Sequence, residues 1–204
     1  MRNNFLMHYL QNKLLILSVI FLLAGCNTIQ SENKQLRSPV DIPVTGQKNF
    51  DRALWFARSG DIDEAIALFN GISKKFPTLA PPYKHLGILH LKQQDFTAAE
   101  QALSKSVDLY PYDAIAYNHL GIAKRNLGNF NQANKAYLKA IKLKPDYADA
   151  ILNIGILHDM YLYKFETAIA YYEKYKKIAS LDEKQNKLVD KWIADLMLRS
   201  KKKE

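Results

Sequence analysis

The sequence predicts an all-α fold: a right-handed α-solenoid of stacked helix-turn-helix units, closed by one further helix. Three observations predict it. Gly87, Gly121 and Gly155 stand 34 residues apart, and Pro77, Pro111 and Pro145 keep the same step. Ala65, Ala99 and Ala133 share that period, as do the large apolar residues Phe69, Leu103 and Tyr137. Within each period the apolar residues recur at helical spacing, so each unit is a pair of helices. Such units cannot bury their apolar faces alone. Stacking gives them a common core and leaves an extended groove, a surface for binding that carries no reaction chemistry of its own.

The chain has 204 residues, enough for one sizeable domain, and a hydrophobic fraction of 48% supports a core. Its formal net charge is +9, with a concentration of cations at the C-terminal end, Arg199, Lys201, Lys202 and Lys203. A run of this kind reads as a solvated basic tail, residues 199–204. No module for nucleic-acid binding accompanies it, so nucleic acid is not an expected partner. The single cysteine, Cys26, excludes an internal disulfide and a thiolate metal cluster.

The N-terminal elements come first in chain order. Met1 to Lys13 form a weakly basic start, and Leu14 to Ala24 form an almost wholly apolar run of eleven residues. At about 1.5 Å per residue that run is too short to span a bilayer as a helix. A basic start, a short apolar core and small residues at its end are the signature of a cleaved secretory signal, residues 1–25. The end reads Leu23-Ala24-Gly25-Cys26, which resembles the lipobox of bacterial lipoproteins. The resemblance implies cleavage before Cys26, a diacylglyceryl group on its sulfur and acylation of the new amino group. Several acyl chains anchor durably where one does not. Asn27, in place of aspartate, implies the outer membrane, facing the periplasm. Residues 26–46 are polar, carry Pro39 and Pro43 and lack an apolar stripe. They read as the lipidated residue and a flexible tether spanning roughly 25 Å.

The repeats follow at about 46–79, 80–113, 114–147 and 148–181. The first carries Phe56, Gly60, Asp61, Ala65, Phe69 and Pro77, with Ala53 where later repeats have glycine. Terminal repeats deviate in this way because one face has no neighbour. The second opens on Pro81 and Pro82, tolerated in a first helical turn whose N–H groups lack partners anyway. The third is the most regular: Tyr117, Leu120, Gly121, Gly128, Phe130, Ala133, Tyr137, Ala140 and Pro145. These residues resemble the tetratricopeptide repeat. Gly121 and Ala133 are small where two helices cross closely. Gly128 ends a helix in the left-handed conformation, and Pro145 stops the next helix. In the fourth repeat the turn within Asp159 to Lys164 gains one residue, and Ser180 replaces the proline. Residues 182–198 place Val189, Trp192, Ile193 and Leu196 on one helical face opposite charged residues, the pattern of a capping helix. The repeat domain thus covers residues 47–198.

In this family the second, fifth, ninth, twelfth and thirteenth residues of each first helix line the groove. The resemblance assigns to it Arg58, beside Phe50 and Leu54, then Lys84, Ile88 and Lys92, beside Leu91. The next two repeats contribute Asn118, Ile122, Arg125 and Asn126, then Leu152 and Ile156, beside Asp159 and Met160. Such a groove is apolar at its centre, with Lys84, Lys92 and Arg125 facing solvent to meet carboxylates. A protein or peptide segment with apolar anchors and acidic flanks suits it. The chaperone-binding branch of the family uses a lysine-asparagine clamp; Lys84 fits one slot, but Ile88 stands where asparagine is needed. Tyr161 and Tyr163, in the lengthened turn, are further contact candidates, whereas Tyr172 and Tyr175 fall on core positions.

His85 and His119 share one slot, and His90 and His158 another. Equivalent slots of adjacent repeats lie roughly 10 Å apart, too far for one ion with bonds of about 2 Å, so no metal is expected. No phosphate loop, nucleophile elbow or zinc-binding His pair is present, and no cofactor or small-molecule substrate is implied. The expected function is a non-enzymatic, lipid-anchored adaptor for protein partners in the periplasm. It resembles pilotin-type pilus-assembly lipoproteins. The alternative is an accessory regulator that docks a periplasmic enzyme such as a peptidoglycan hydrolase.

Overall fold

Helix and turn alternate from Val44 onward. The computed structural model describes residues 42–201; the signal segment, Cys26, the tether as far as residue 41, and residues 202–204 lie outside it. The described helices are α1 (Val44–Ser59), α2 (Ile62–Lys75), α3 (Ala80–Lys92), α4 (Phe96–Leu109), α5 (Ala114–Asn126), α6 (Phe130–Leu143), α7 (Ala148–Met160), α8 (Phe165–Ile178) and α9 (Glu183–Lys201). They pair as α1·α2, α3·α4, α5·α6 and α7·α8, and α9 packs against α8. In addition α3 touches α5 and α5 touches α7, so these three first helices form one layer of the α-solenoid. None of the described helices is long and apolar enough to cross a membrane.

The 34-residue period has a steric cause. A Cβ built on Gly87 would lie 2.3 Å from Leu103 Cγ; on Gly121, 2.4 Å from Tyr137 Cε1; on Gly155, 2.9 Å from Tyr172 Cδ1. Each glycine is therefore the floor on which the large residue of the second helix rests. Leu103, Tyr137 and Tyr172 are almost wholly buried there. Ala65, Ala99, Ala133 and Ala168 are wholly buried too, so the small residues of the second helices also serve close packing.

The turns inside the repeats use one backbone device. Gly60 has φ +95° and Gly128 φ +78°, the left-handed geometry that glycine adopts without strain. Gln94 fills the equivalent slot at φ +61°. In the fourth repeat Tyr163 takes the role at φ +52°, one place later than the period predicts, as the extra residue requires. Aspartates fasten the helix starts: Asp95 Oδ1 accepts from Ala98 N at 3.0 Å, and Asp113 Oδ1 accepts from Ile115 N and Ala116 N at 2.9 and 3.0 Å.

Two boundaries differ from the sequence reading. The tether was expected to run through Gly46, but α1 begins at Val44 and Gly46 is buried. Pro43 immediately precedes the helix, where its missing N–H leaves no bond unmade. At the other end α9 continues past residue 198 to Lys201. Arg199 is not part of a solvated tail. Its Nη1 donates to Asp159 Oδ1 at 3.2 Å and to Asp195 Oδ2 at 3.4 Å, and its guanidinium lies 4.4 Å from the Phe165 ring centroid. Ser200 donates to Glu166 beside it.

Candidate protein-binding groove

The first helices bring the expected groove residues to one layer, but not to one degree of access. Arg58, Lys92 and Asn126 are exposed, and Ile88, Arg125 and Leu152 half-buried. Lys84, Asn118, Ile122 and Ile156 are buried. This corrects the expectation that Lys84 and Asn118 face solvent. In the second and third repeats, position five of the first helix belongs to the interior packing. Lys84 Nζ pairs with Asp113 Oδ2 at 3.1 Å, and Asp113 also caps α5. The pair thus ties α3 to the N-terminal cap of α5. Asn118 accepts from Asn153 Nδ2 at 3.1 Å, while its own Nδ2 donates to Tyr147 Oη at 3.4 Å. These polar side chains are satisfied inside the array, as burial demands.

What remains accessible is narrower and more uniform in charge. Leu54, Ile88, Leu91 and Leu152 form a half-buried apolar floor. Arg58, Lys92 and Arg125 stand around it. Among the described residues, Arg125 Nε and Nη1 are buried and meet no hydrogen-bond acceptor. The acids on these helices and at the α5 cap are engaged or withdrawn. Asp159, 1% exposed, receives Arg199 and the Tyr172 hydroxyl, the latter at 3.1 Å. Asp149 is half-buried, and burial pushes its carboxyl above the usual range, against the pull of His119 and Lys144. Asp113 is held by Lys84.

The histidines take packing roles. His85 stacks on Phe69 with ring centroids 5.1 Å apart and meets Phe50 edge-on at 5.5 Å; burial and the neighbouring Lys84 hold its pKa well below 6.5. His119 donates from Nδ1 to the Ile115 carbonyl at 2.9 Å. His158 Nε2 lies 3.0 Å from Asn134 Oδ1, and its ring stacks on Tyr171. Of the late tyrosines, Tyr172 is core and packs on Trp192, with centroids 5.5 Å apart. Tyr161 packs on Phe130, while Tyr163 is 58% exposed. Sequence reasoning missed Arg199 and the Lys84–Asp113 pair. The one signal for the former was an aspartate, Asp159, at a groove position where earlier repeats carry Leu91 and Arg125.

Comparison with known proteins agrees with this architecture. A family model described as tetratricopeptide repeat matches residues 50–114 and 84–123, and a second, described as TPR repeat, matches residues 123–160. Among solved structures, the crystal structure of MamA is similar with a TM-score of 0.62 and 29% identity, covering 66% of this chain and 73% of that one. PilF of Pseudomonas aeruginosa is similar with a TM-score of 0.65 and 17% identity, over 77% of this chain and 69% of that one. The first repeat domain of Spaghetti (RPAP3), solved with the HSP90 peptide SRMEEVD, gives 0.56 and 20% over 59% of this chain and 94% of that one. Among curated proteins, none matches the chain significantly. The repeat models span residues 50–160. The chain therefore belongs to the tetratricopeptide repeat family, whose members mediate protein–protein interactions.

Proposed function

We propose that the protein is a non-enzymatic adaptor of the bacterial envelope, lipid-anchored through Cys26 and holding protein partners in its groove. One observation carries the groove reading. An apolar floor is partly open, the cations Arg58, Lys92 and Arg125 surround it, and the acids on these helices and at the α5 cap are paired or withdrawn. A partner segment with apolar anchors and acidic flanks is complementary to that surface. Opposite charge speeds its encounter, and apolar contact holds it. The lipobox-like end of the signal segment and the Asn27 that follows support an outer-membrane site facing the periplasm. Docking of a periplasmic enzyme, a peptidoglycan hydrolase for example, would use the same groove.

In-cell crosslinking tests the groove. Lys92→Glu combined with Arg125→Glu replaces attraction with repulsion at two adjacent repeats and is expected to remove the captured partners. Lys84 is left intact, because reversing it would set two carboxylates together at the start of α5. A partner set unchanged by the double reversal, with the helical melting curve preserved, would place binding on another surface. An activity assay of the captured partner with and without the protein separates plain adaptor from enzyme regulator.

A further inference from the structure

In every repeat after the first, the first helix buries the side chains that meet the repeat before it. Leu86 and Leu89 do so in the second, Leu120 and Ala123 in the third, Ile154 and Leu157 in the fourth, each 5% exposed or less. In α1 the equivalent residues are Arg52 and Trp55, with Lys48 one turn earlier. Charged residues in such slots solvate the end of an array. Trp55 does the opposite. It keeps a large apolar ring on that face, 60% exposed, with the Phe56 ring edge-on at 4.9 Å. Val44, 91% exposed, continues the stripe at the start of the helix. Val44, Lys48, Arg52 and Trp55 therefore share one exposed face of α1 at helical spacing.

A tryptophan beside lysine and arginine is the chemistry of a bilayer surface. The indole settles at headgroup depth, and the cations meet lipid phosphates. We propose that this face of α1 rests on the lipid surface into which Cys26 is anchored; the proposal depends on the anchor reading above. Seventeen residues separate Cys26 from Val44, so even a fully extended chain reaches only about 60 Å. A tether of this length presents α1 to the lipid at an effective concentration on the order of millimolar. A contact too weak to recruit the free protein is then occupied. Asp51, whose carboxylate accepts from Gln47 at 2.9 Å, and Asp61 in the following turn temper the attraction, leaving the indole a large share of it. A second copy stacked head to tail fits less well. The exposed charges of α9 are Lys184, Lys187, Lys191 and Lys201 against Glu183 and Asp190, so cations would face Lys48 and Arg52.

The two tryptophans make the contact readable. Trp55 is exposed, and Trp192 is 5% exposed in the core. The full-length lipidated protein is reconstituted into phosphatidylethanolamine–phosphatidylglycerol vesicles whose acyl chains carry bromine, a short-range quencher of indole. Wild-type fluorescence is expected to fall, Trp55→Phe to be insensitive, and Lys48→Glu/Arg52→Glu to lose roughly half or more of the quenching. Flotation of the same vesicles reads the anchor separately. Vesicles that float with the protein but leave Trp55 unquenched would overturn the α1 contact and spare the anchor. Protein that fails to float removes both readings. A Trp55 emission shift that follows protein concentration without vesicles would assign the face to a second copy instead.

Discussion

Replacing Gly121 by alanine sets two effects of opposite sign against each other. Helix propensity favours alanine by about 1 kcal/mol. The structure opposes it: the added Cβ would sit 2.4 Å from Tyr137 Cε1 and 2.6 Å from Cδ1, where carbon–carbon contact needs about 3.5–4.0 Å. The ring cannot simply step aside. Tyr137 is wholly buried and packs among Ala133, Ile154 and Leu157, so α5 and α6 must part by an ångström or so. Overpacking of this order costs about 1–3 kcal/mol, and the clash wins. Gly121→Ala is expected to destabilise by up to about 2 kcal/mol, a fall in melting temperature of about 2–4 °C per kcal/mol. Gly121→Leu should cost more. The decisive assay is a double-mutant cycle followed by circular dichroism in urea and heat. Tyr137→Ala costs about 3–5 kcal/mol on its own. In that background the ring is gone, and Gly121→Ala should become stabilising by about 1 kcal/mol. A stabilising Gly121→Ala in the wild-type background, or strictly additive changes, would refute the close-crossing account of the 34-residue period.

Three other outcomes are expected. Arg199→Ala should cost about 2 kcal/mol in chemical denaturation, because Asp159 stays buried without its cation; the figure is held below that of a fully buried pair because the Arg199 side chain is 34% exposed. Adding Asp159→Asn should recover part of the loss, and no recovery would mean the guanidinium acts through packing on Phe165 alone. Wild-type stability should decline as pH falls through 6.5, since the unfolded chain takes up a proton that buried His85 refuses. His85→Leu should flatten that decline without abolishing it, as His158 is shifted the same way; melting curves across the range check this. Cys26→Ser should abolish labelling by a fatty-acid analogue, because serine lacks the thiolate that accepts the lipid, and equal labelling of both forms would end the lipoprotein reading.

Much of the fold was legible because its determinants repeat. A glycine that must admit a large residue appears at the crossing of every repeat after the first, and a left-handed turn residue each time a repeat turns. The extra residue before Lys164 showed itself as a one-place shift, and Tyr163 carries the backbone geometry of that shift. What escaped notice does not recur. The Lys84–Asp113 pair joins residues 29 positions apart, α3 to the cap of α5, and nothing at either position alone announces the other. The same holds for Arg199 and Asp159, separated by 40 residues. In the groove, family position numbers told which helix faces contribute but not how deep each side chain lies. Hence Asn118 looked like a contact residue, although Asn153 and Tyr147 enclose it.

The Arg199 contact bears on how the chain reaches its native state in time. A polypeptide is made and exported from its N-terminal end. Each pairing of a glycine with a large residue of the second helix closes within a stretch of about 16 or 17 residues, so successive repeats can set as they emerge. Asp159 must wait. Until residue 199 is delivered, Asp159 keeps the Tyr172 hydroxyl but not the guanidinium of Arg199. The fourth repeat therefore gains this contact only after α9 has been made as far as Arg199. Truncation before Arg199 would leave the contacts of the earlier repeats in place and remove the one that joins α9 to α7.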